Sequence, residues 1–444
     1  MTLTDRFINR IYSIKFEDIT PSAIQMVKTC LIDTIGVTIA GAKSLKLKDD
    51  ALVNLLGGDK VVCPIGSTEK TSLLNAIFIN GLNSHFLELD DGVRYGVIHP
   101  SAPLFSALLP VAQVNGVKWS QFLLGAICGY ETSIRLASAI QPYHYRAGFH
   151  PTATCCTLGV AVGVAVMLGY SRDEVKDAFS AASIASYGTL KVLEDVSELK
   201  PYNCAKAAMN GYIAAAMAKA GFAGPKDALL GDTGFLKMMS SRYNEEILIG
   251  ERDYFYVEKI YLKPYASCRH THPEIEAAFK IRTEKGFDIK KVNRIYVQTY
   301  KGVIGKHDGN DIFGESSARM SIPYSTAVAL QTGKAGIAEF EAPYINDPFV
   351  LRLNKMVVIK GDEELSMLVP DKRVALVTVG QTDGREFSCR VEYPKGEPEN
   401  PLSHEELYAK FSEMSLHGGK TEEWSKNLFD YITKNKNINV DKIN

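Results

Sequence analysis

Residues 85–102 read HFLELDDGVRYGVIHPSA and separate two apolar runs that have helical spacing. The stretch contains two histidines, three carboxylates and one arginine, and nothing else in the first half of the chain is so polar. Glu88, Asp90 and Asp91 fall within four residues, where like charges repel one another. We therefore expect a cation, from the protein or from a ligand, to face them. A solvated turn would have a similar composition, but the apolar runs on both sides indicate a loop that lies against a buried core.

Length and composition place the chain among globular proteins. It has 444 residues, of which 46% are hydrophobic and 23% charged, and this length predicts two domains. The formal net charge is −1 with acids and bases interspersed, which favours neither nucleic acid nor a membrane surface as a partner. Residues 1–19 contain acids and no long apolar run, so we expect no signal peptide, no membrane helix and a cytoplasmic location.

The cysteines show no pairing pattern. There are eight of them, scattered mostly through apolar runs and without a CxxC pair. They are Cys30, Cys63, Cys128, Cys155, Cys156, Cys204, Cys268 and Cys389. This usage is typical of reduced, buried cysteines in a cytosolic protein.

The first 250 residues are predicted to be helical. Thr20 and Pro21 are typical of a helix N-terminus, and the apolar spacing that follows continues to Gly41. Later helices are rich in Ala, Gly and Ser on more than one face, which permits close packing in a large all-α body. Ser171 and Glu174 form a capping-box pattern at the start of one of them.

The second half of the chain has a different residue composition. Segments 254–265, 292–300, 355–361 and 373–393 are rich in β-branched and aromatic residues, and the last is predicted to be a hairpin that turns at 382–384. Two helical patterns, 271–286 and 316–333, lie among them. After a linker at 394–398 the helical pattern returns, with a capping-box pattern at Ser403 and Glu406.

These patterns predict a mainly α protein with an α+β part. Residues 1–262 and 399–444 would form one large all-α domain that is discontinuous in sequence, because the helical tail is expected to pack back on the first helices. Residues 263–398 would form a smaller α+β domain.

The candidate site residues occur in repeated local settings. The chain has no GxGxxG, GxxxxGK[ST], HExxH or GxSxG motif and no Cys/His metal spacing, so no metal or nucleotide cofactor is expected. His99 stands in HPSA and His150 in HPTA, each before a helical run, which favours two histidines that point into one site. Lys200 and Lys263 share a Lys-Pro-Tyr tripeptide and would suit a ligand with two or more carboxylates.

Five motifs together resemble the MmgE/PrpD family. In chain order they are HFLELDD…HPSA, FHPTATCC…GVAVGVAVMLG, LKPY…GYIAAAMAKAGFAGP, YLKPYASCRHTHPEIEA and SARMSIPYSTAVAL. The family includes 2-methylcitrate dehydratase, cis-aconitate decarboxylase and iminodisuccinate epimerase. The resemblance implies a helical domain built from both ends of the chain, a smaller α+β lid, a cofactor-free site between them and a homodimer.

The resemblance also assigns site residues. The family's active-site acid falls on Glu88, with Asp90 and Asp91 beside it, and the loop to His99 is slightly longer than in the decarboxylase, which leaves open which acid faces the substrate. Matches to family positions also fall on His99, His150, Lys200, Lys263 and Tyr324, the last being the lid tyrosine. The chain departs from the decarboxylase at Cys268, where that enzyme has a histidine, and Arg269 and His272 follow.

The implied chemistry is proton transfer at a carbon next to a carboxylate of a small di- or tricarboxylate. Lys200, Lys263 and Arg269 would hold carboxylates, and Cys268 and His272 would border the substrate. His150 or His99 would be the base. One of the acids would orient a histidine. Tyr324, on the lid, would shield the substrate or protonate it.

Several outcomes of this chemistry stay open. Loss of water makes a dehydratase, loss of CO2 a decarboxylase, and return of the proton on the other face an epimerase. We rank a lyase first, an epimerase second, and a catalytically silent relative that binds a metabolite as the alternative of another class. Cys268 would be either a packing residue or, as a thiolate whose pKa Arg269 and Lys263 lower, a second base opposite His150.

Overall fold

The computed structural model describes residues 1–193 and 197–443. The described chain is mainly helical and has one small sheet in its second half, which confirms the predicted fold class. The helices before residue 250 are α1 (Leu3–Tyr12), α2 (Pro21–Leu56), α3 (Leu73–Phe86), α4 (Ser101–Asn115), α5 (Trp119–Ile140), α6 (Tyr143–Arg146), α7 (Pro151–Met167), α8 (Arg172–Ala185), α9 (Lys200–Lys219), α10 (Phe235–Met239) and α11 (Glu245–Ile249).

The second half contains the sheet and the remaining helices. The strands are β1 (Val292–Tyr300), β2 (Val357–Asp362), β3 (Ala375–Gln381) and β4 (Glu386–Val391). The helices are α12 (His272–Arg282), α13 (Glu315–Met320), α14 (Ile322–Thr332), α15 (Pro348–Met356), α16 (Glu363–Met367), α17 (His404–His417) and α18 (Glu422–Lys434). The strand order is β2-β1-β3-β4, with β1 parallel to β2 and the other pairs antiparallel. Both predicted capping boxes are present, at the starts of α8 and α17.

One predicted strand is wrong. Residues 254–265 contain a short 3-10 turn, Tyr256–Lys259, instead of a strand. The aromatic side chains of this segment pack on the helices. Tyr256 is buried among apolar side chains of the N-terminal helices, and Arg135 of α5 lies over its ring, 4.9 Å from the centroid. Aromatic and β-branched residues favour any half-buried surface, whether it belongs to a strand or to a turn packed on helices. Composition alone therefore did not distinguish a strand from a packed turn.

Helix α2 is longer than predicted. It begins after Thr20, whose side chain accepts a hydrogen bond from the Ala23 amide at 3.2 Å, but it continues past Gly41 to Leu56. At Gly41 a Cβ would be 2.1 Å from the carbonyl oxygen of Asn83 in α3. Gly41 therefore permits two helices to approach closely and does not end one. Since α3 leads directly into residues 85–102, this contact helps to position that loop.

Small residues also bring the central helices together, as the sequence indicated. A Cβ at Gly159 of α7 would be 2.7 Å from the carbonyl oxygen of Gly129 in α5, and one at Gly163 would be 2.9 Å from that of Gly125. By length and composition α2 could cross a membrane, and 78% of its apolar window is buried inside the protein, as in the core helix of a helical body.

Two clusters of buried apolar side chains meet at residues 85–102. The first combines α1, α2, α4, α5 and α7–α9 with α17 and α18, and the second combines the sheet with α12 and α14. Leu87 and Leu89 belong to the second cluster, whereas Val93 and Ile98 belong to the first. The polar loop thus lies against buried cores on both sides. The C-terminal helix α17 packs on α2, and the domain boundaries proposed above stay a prediction.

Candidate active site

Glu88 follows α3 and has a backbone conformation that is rare for a residue with a side chain, since its φ is 56°. A residue in this conformation destabilises the fold by about 1 to 3 kcal/mol. It persists only where contacts with the surrounding structure maintain it, often at functional sites. Two ammonium groups hold Glu88: the Nζ of Lys200 contacts Oε1, and the Nζ of Lys263 lies 3.3 Å from Oε2. Burial opposes the negative charge, but Lys200 and Lys263 hold the pKa of Glu88 well below its usual range. Glu88 is therefore ionised, and it lines the larger of two cavities.

The cation that the acidic stretch predicted is supplied by the protein. Lys263 is fully buried, and its Nζ also lies 3.5 Å from Oδ1 of Asp90. Burial opposes its charge, yet Asp90 and Glu88 outweigh burial and raise the pKa of Lys263 above its ordinary value. Lys200 and Lys263 were predicted to bind substrate carboxylates. In the structure both are already paired with protein carboxylates, and a direct substrate role for them stays a prediction.

Asp90 connects two histidines. Its Oδ2 lies 2.6 Å from Nδ1 of His85 and 3.5 Å from Nδ1 of His99. Burial opposes ionisation, but His85 and Lys263 lower the pKa of Asp90 well below its usual value. An ionised carboxylate only accepts hydrogen bonds, so Nδ1 of His85 is the donor. The other ring nitrogen of His85, Nε2, is buried without a hydrogen-bond partner among the described residues.

His85 was not among the predicted site residues. It lies in the last turn of α3, and its ring centroid is 5.1 Å from that of His99 and 6.0 Å from that of His150. The signal that could have identified it is its position five residues before Asp90, in the same polar stretch.

His99 and His150 both border a small cavity of about 50 Å³. Nδ1 of His99 donates to the carbonyl oxygen of Asp91 at 2.5 Å, which leaves Nε2 as the unprotonated nitrogen of the neutral ring. Burial lowers the pKa of His99 to about 3. Burial, followed by the neighbouring His85 and Lys200, lowers the pKa of His150 well below its usual value. Both imidazoles are therefore neutral at neutral pH, and each has an unprotonated ring nitrogen.

Asp91 has a different environment from the other two acids. Its carboxylate accepts a hydrogen bond from the Ser101 amide at 3.2 Å and contacts the Ser101 hydroxyl. Burial, with the nearby charge of Asp90, raises the pKa of Asp91 to about 8 against the lowering effect of Ser101. Neither Asp90 nor Asp91 borders the cavity that Glu88 lines or the small cavity beside His99 and His150. Asp91 therefore positions His99 and the start of α4, and Glu88 is the acid that faces the open space.

Three predicted site residues have their polar groups occupied elsewhere. Arg269 borders the small cavity, but its Nε and Nη2 donate to Oε1 of Glu397 at 3.1 and 2.9 Å. Its Nη1 donates to Nδ1 of His272 at 3.0 Å, and Nε2 of His272 donates to a backbone carbonyl. The hydroxyl of Tyr324 donates to the carbonyl of Glu339 at 2.7 Å inside the second core. The structure thus does not bring His272 or Tyr324 into the cluster, and it leaves Arg269 without a free donor for a substrate.

Cys268 borders the small cavity beside two histidines that sequence reasoning missed. Its Sγ and one ring nitrogen each of His270 and His307 lie within 4.8 Å of one another. Nδ1 of His307 donates to a backbone carbonyl at 3.0 Å, and Nδ1 of His270 is hydrogen-bonded to the Tyr300 hydroxyl. By spacing alone, this thiol and these two imidazoles could hold a metal ion.

The electrostatics of this group favour neutral side chains over a bound cation. Burial raises the pKa of the Cys268 thiol, whereas a metal ligand must be the thiolate. Burial, and then the charge of Arg373, lower the pKa of His270 well below its usual value. A divalent cation here would add positive charge beside Arg373 and Lys200, which border the same cavity. Of the two alternatives for Cys268, the raised pKa favours the packing residue over the thiolate, because Lys200 and Lys263 oppose the effect of burial without outweighing it and Arg269 is paired with Glu397.

The two cavities adjoin. The larger one has a volume of about 1020 Å³ and is bordered by five Lys or Arg side chains and five carboxylates. The basic residues are Lys43, Lys48, Lys200, Lys306 and Arg319, and the acidic ones are Glu88, Glu198, Asp311, Glu315 and Glu341. Leu193, Lys200, His307 and Met320 border both cavities, so a ligand in the larger one can reach the histidines of the smaller one. The arrangement therefore provides a large polar cavity that adjoins two neutral histidines.

Models of one protein family match both halves of the chain. The family model described as the MmgE/PrpD N-terminal domain matches residues 5–247, and the model of the MmgE/PrpD C-terminal domain matches residues 265–428. The chain is similar to the cis-aconitate decarboxylase of Homo sapiens, with 24% identity over 92% of this chain and 87% of the relative. It is also similar to the enzymes of the same name from Mus musculus, at 23%, and Aspergillus terreus, at 22%, each over 92% of this chain and 86% and 87% of the relative. The two family models together span most of the chain, which therefore belongs to the MmgE/PrpD family.

Proposed function

We propose that this protein is a lyase that acts on a tricarboxylate by proton transfer at a carbon next to a carboxylate. The observation that carries the proposal is the pair of neutral histidines, His99 and His150, at a small cavity that adjoins a large polar one. The names of the relatives, cis-aconitate decarboxylases, support a lyase and a tricarboxylate. Their identity to this chain is too low to carry one specific reaction.

The residues support a short sequence of steps. His150 or His99 accepts the proton from carbon, and the electron pair of the C–H bond spreads into the adjacent carboxylate. In a dehydratase that pair then forms a double bond as a hydroxyl leaves from the neighbouring carbon with a proton. In a decarboxylase no C–H bond breaks first: the pair of the C–C bond stays on the skeleton as CO2 departs, and a histidine that has taken a proton from the solvent transfers it to that carbon. Asp90 holds His85 and His99 in place through either course.

An epimerase is the second candidate, and one observation favours it. Cys268 borders the same small cavity as His150, and its protonated thiol is a second proton donor at that cavity. A silent metabolite-binding relative is less well supported, because the chain keeps both neutral histidines at the small cavity. A homodimer and a cytoplasmic location stay predictions.

Hydrogen exchange in deuterated water tests the function. The purified protein is incubated with a panel of tri- and dicarboxylates and followed by proton NMR, with protein-free samples as controls. We expect at least one tricarboxylate to exchange a carbon-bound hydrogen, and further loss of CO2 or water would name the class. Binding without any exchange across the panel would instead indicate a metabolite-binding protein.

Within that panel, cis-aconitate is expected to be a poor substrate. Cys268 stands where the resemblance places a histidine in the decarboxylase, and a buried thiol cannot replace the proton chemistry of an imidazole at neutral pH. The measurement is the rate of itaconate formation relative to the best substrate of the panel. Efficient itaconate formation would refute this prediction and make the chain a cis-aconitate decarboxylase.

Cys268→Ser is expected to keep exchange activity within about three-fold of the wild type. Burial holds the thiol in its protonated form, and a hydroxyl preserves a small neutral donor at the same place. Exchange rates of Cys268→Ser and Cys268→Ala, with alkylation by iodoacetamide in the presence and absence of substrate, measure the effect. Abolished exchange together with substrate protection from alkylation would make Cys268 a second base and favour the epimerase.

A further inference from the structure

Arg373 is a buried cation that forms no ion pair with a carboxylate among the described residues. It lies just before β3 and is 7% exposed. Its Nε is buried without a partner, and within the described parts of the chain no carboxylate forms an ion pair with its guanidinium. A guanidinium cannot lose its charge in a protein, so burial without a partner is strongly unfavourable. An unfavourable group of this kind that borders a cavity indicates a missing anion.

The carboxylate whose charge acts on Arg373 is Glu397, and it is already paired with other arginines. Glu397 accepts hydrogen bonds from Arg94 at 3.0 Å and from Arg269 at 2.9 Å. The charge of Glu397 is therefore shared by two other arginines and does not neutralise Arg373. Lys200, which borders the same cavity as Arg373, is neutralised by Glu88. The positive charge that remains unmatched at the small cavity is that of Arg373.

The small cavity suits a carboxylate group. Its volume of about 50 Å³ exceeds the space of one water molecule in the liquid, about 30 Å³, and is far smaller than a whole tricarboxylate. The rest of such a ligand would lie in the adjoining cavity of about 1020 Å³. Because His99 and His150 border the same small cavity as Arg373, the carbon attached to a carboxylate bound there would stand beside both bases.

The remaining groups of the cavity agree with an anion. Cys268, His270 and His307 are held neutral by burial and can donate or accept hydrogen bonds without adding charge. A metal ion at these three residues would place a second positive charge beside Arg373, whereas a carboxylate would neutralise it.

We propose that Arg373 binds the substrate carboxylate adjacent to the carbon that exchanges its proton. This inference rests on the proposed function and names the group that receives the negative charge. As the carbon loses its proton, the charge that spreads into this carboxylate meets a guanidinium in a buried site, where such stabilisation is strongest. Lys200 and Lys263 then keep Glu88 and Asp90 ionised, and Arg373 provides the carboxylate contact that the sequence analysis assigned to Arg269.

Binding of propane-1,2,3-tricarboxylate tests the proposal without any turnover. Calorimetry on Arg373→Met, which removes the charge at similar length, is expected to show affinity at least about 30-fold weaker than the wild type, in line with the loss of a buried charge-assisted pair. The affinity of Arg373→Lys should lie between those of the wild type and Arg373→Met. Arg390→Met, at an exposed arginine of β4 that pairs with Glu392 and borders neither cavity, is the matched control and should stay within about three-fold.

Thermal unfolding separates a binding role from a structural one. Without ligand, Arg373→Met should unfold at the same or a higher temperature than the wild type, because an unpaired buried charge has been removed. With the tricarboxylate, the wild type should gain stability and the variant should gain almost none. Unchanged affinity in Arg373→Met, a wild type that does not bind, or a large loss of stability in the free variant would overturn the proposal. Binding through Arg373 without hydrogen exchange would instead contradict the proposed function alone.

Discussion

Replacing His150 by alanine is expected to lower turnover by about two to four orders of magnitude, the range for removal of a general acid or base. His150 borders the small cavity, and burial keeps its imidazole neutral, which leaves one ring nitrogen unprotonated. Its Nδ1 has no partner among the described residues, while its backbone amide donates to the Gly188 carbonyl at 2.9 Å. The substitution therefore removes the ring without breaking a hydrogen bond of the fold, and we expect thermal unfolding to change by only a few degrees.

The measurement is kcat for the best substrate of the exchange panel, with thermal unfolding on the same samples. His144→Ala is the matched control, because His144 is also a buried histidine but uses Nδ1 and Nε2 on the Met239 carbonyl and the Thr154 hydroxyl, at 2.7 and 2.8 Å. That variant should lose stability and keep turnover per folded molecule. Activity of His150→Ala within a few-fold of the wild type would make His150 a structural residue.

The same histidines give a pH profile for the wild type. Burial lowers the pKa of His99 to about 3 and that of His150 well below its usual value, so protonation of either base occurs at lower pH than for an ordinary imidazole. The base form is thus retained as the pH falls from 7.5 to 6, and kcat/KM should stay nearly constant over this range. A decline with a midpoint near 6.5 would show that the catalytic base is solvated in the free enzyme.

The sequence predicted those parts of the site that depend on local pattern. The polar stretch between two apolar runs identified Glu88 and His99 as site residues and predicted that the loop lies against a core. A buried charged loop differs sharply in polarity from the apolar runs beside it, and a single sequence shows that difference. The repeated His-Pro setting predicted that His150 would share a site with His99, and the structure brings them to one cavity.

What the sequence did not predict depends on contacts between distant parts of the chain. Arg373, His270 and His307 reach the site because the second half folds over residues 85–102, and nothing local distinguishes Arg373 from any other arginine before a strand. Conversely, Arg269 and His272 have suggestive neighbours, but only the fold shows that Glu397 and backbone carbonyls occupy their polar groups. Whether a buried polar group is satisfied by the protein is a property of packing and not of local sequence.

The second large effect is expected from ending the chain after Pro398, which should give insoluble or partly folded protein. Helices α17 and α18 place Phe411 and Phe429 in the first core, where they are 0% and 2% exposed. Loss of buried side chains of this size costs about 3 to 5 kcal/mol each, against a typical total stability of about 5 to 15 kcal/mol. The truncation removes several such groups at once, so the remaining helices should not hold a compact state.

The tail also supports the site loop directly. Lys410 of α17 lies 2.5 Å from Oδ1 of Asp33 in α2, and its Nζ donates to the Leu89 carbonyl at 2.9 Å, between Glu88 and Asp90. Without Lys410, Asp33 would be a buried carboxylate without its cation, a situation that is strongly destabilising. Soluble yield, near-ultraviolet circular dichroism and thermal unfolding of residues 1–398 measure the effect. Co-expression of residues 399–444 as a separate chain is the control and should restore part of the soluble yield, whereas a soluble truncation with unchanged unfolding would contradict a helical domain built from both ends of the chain.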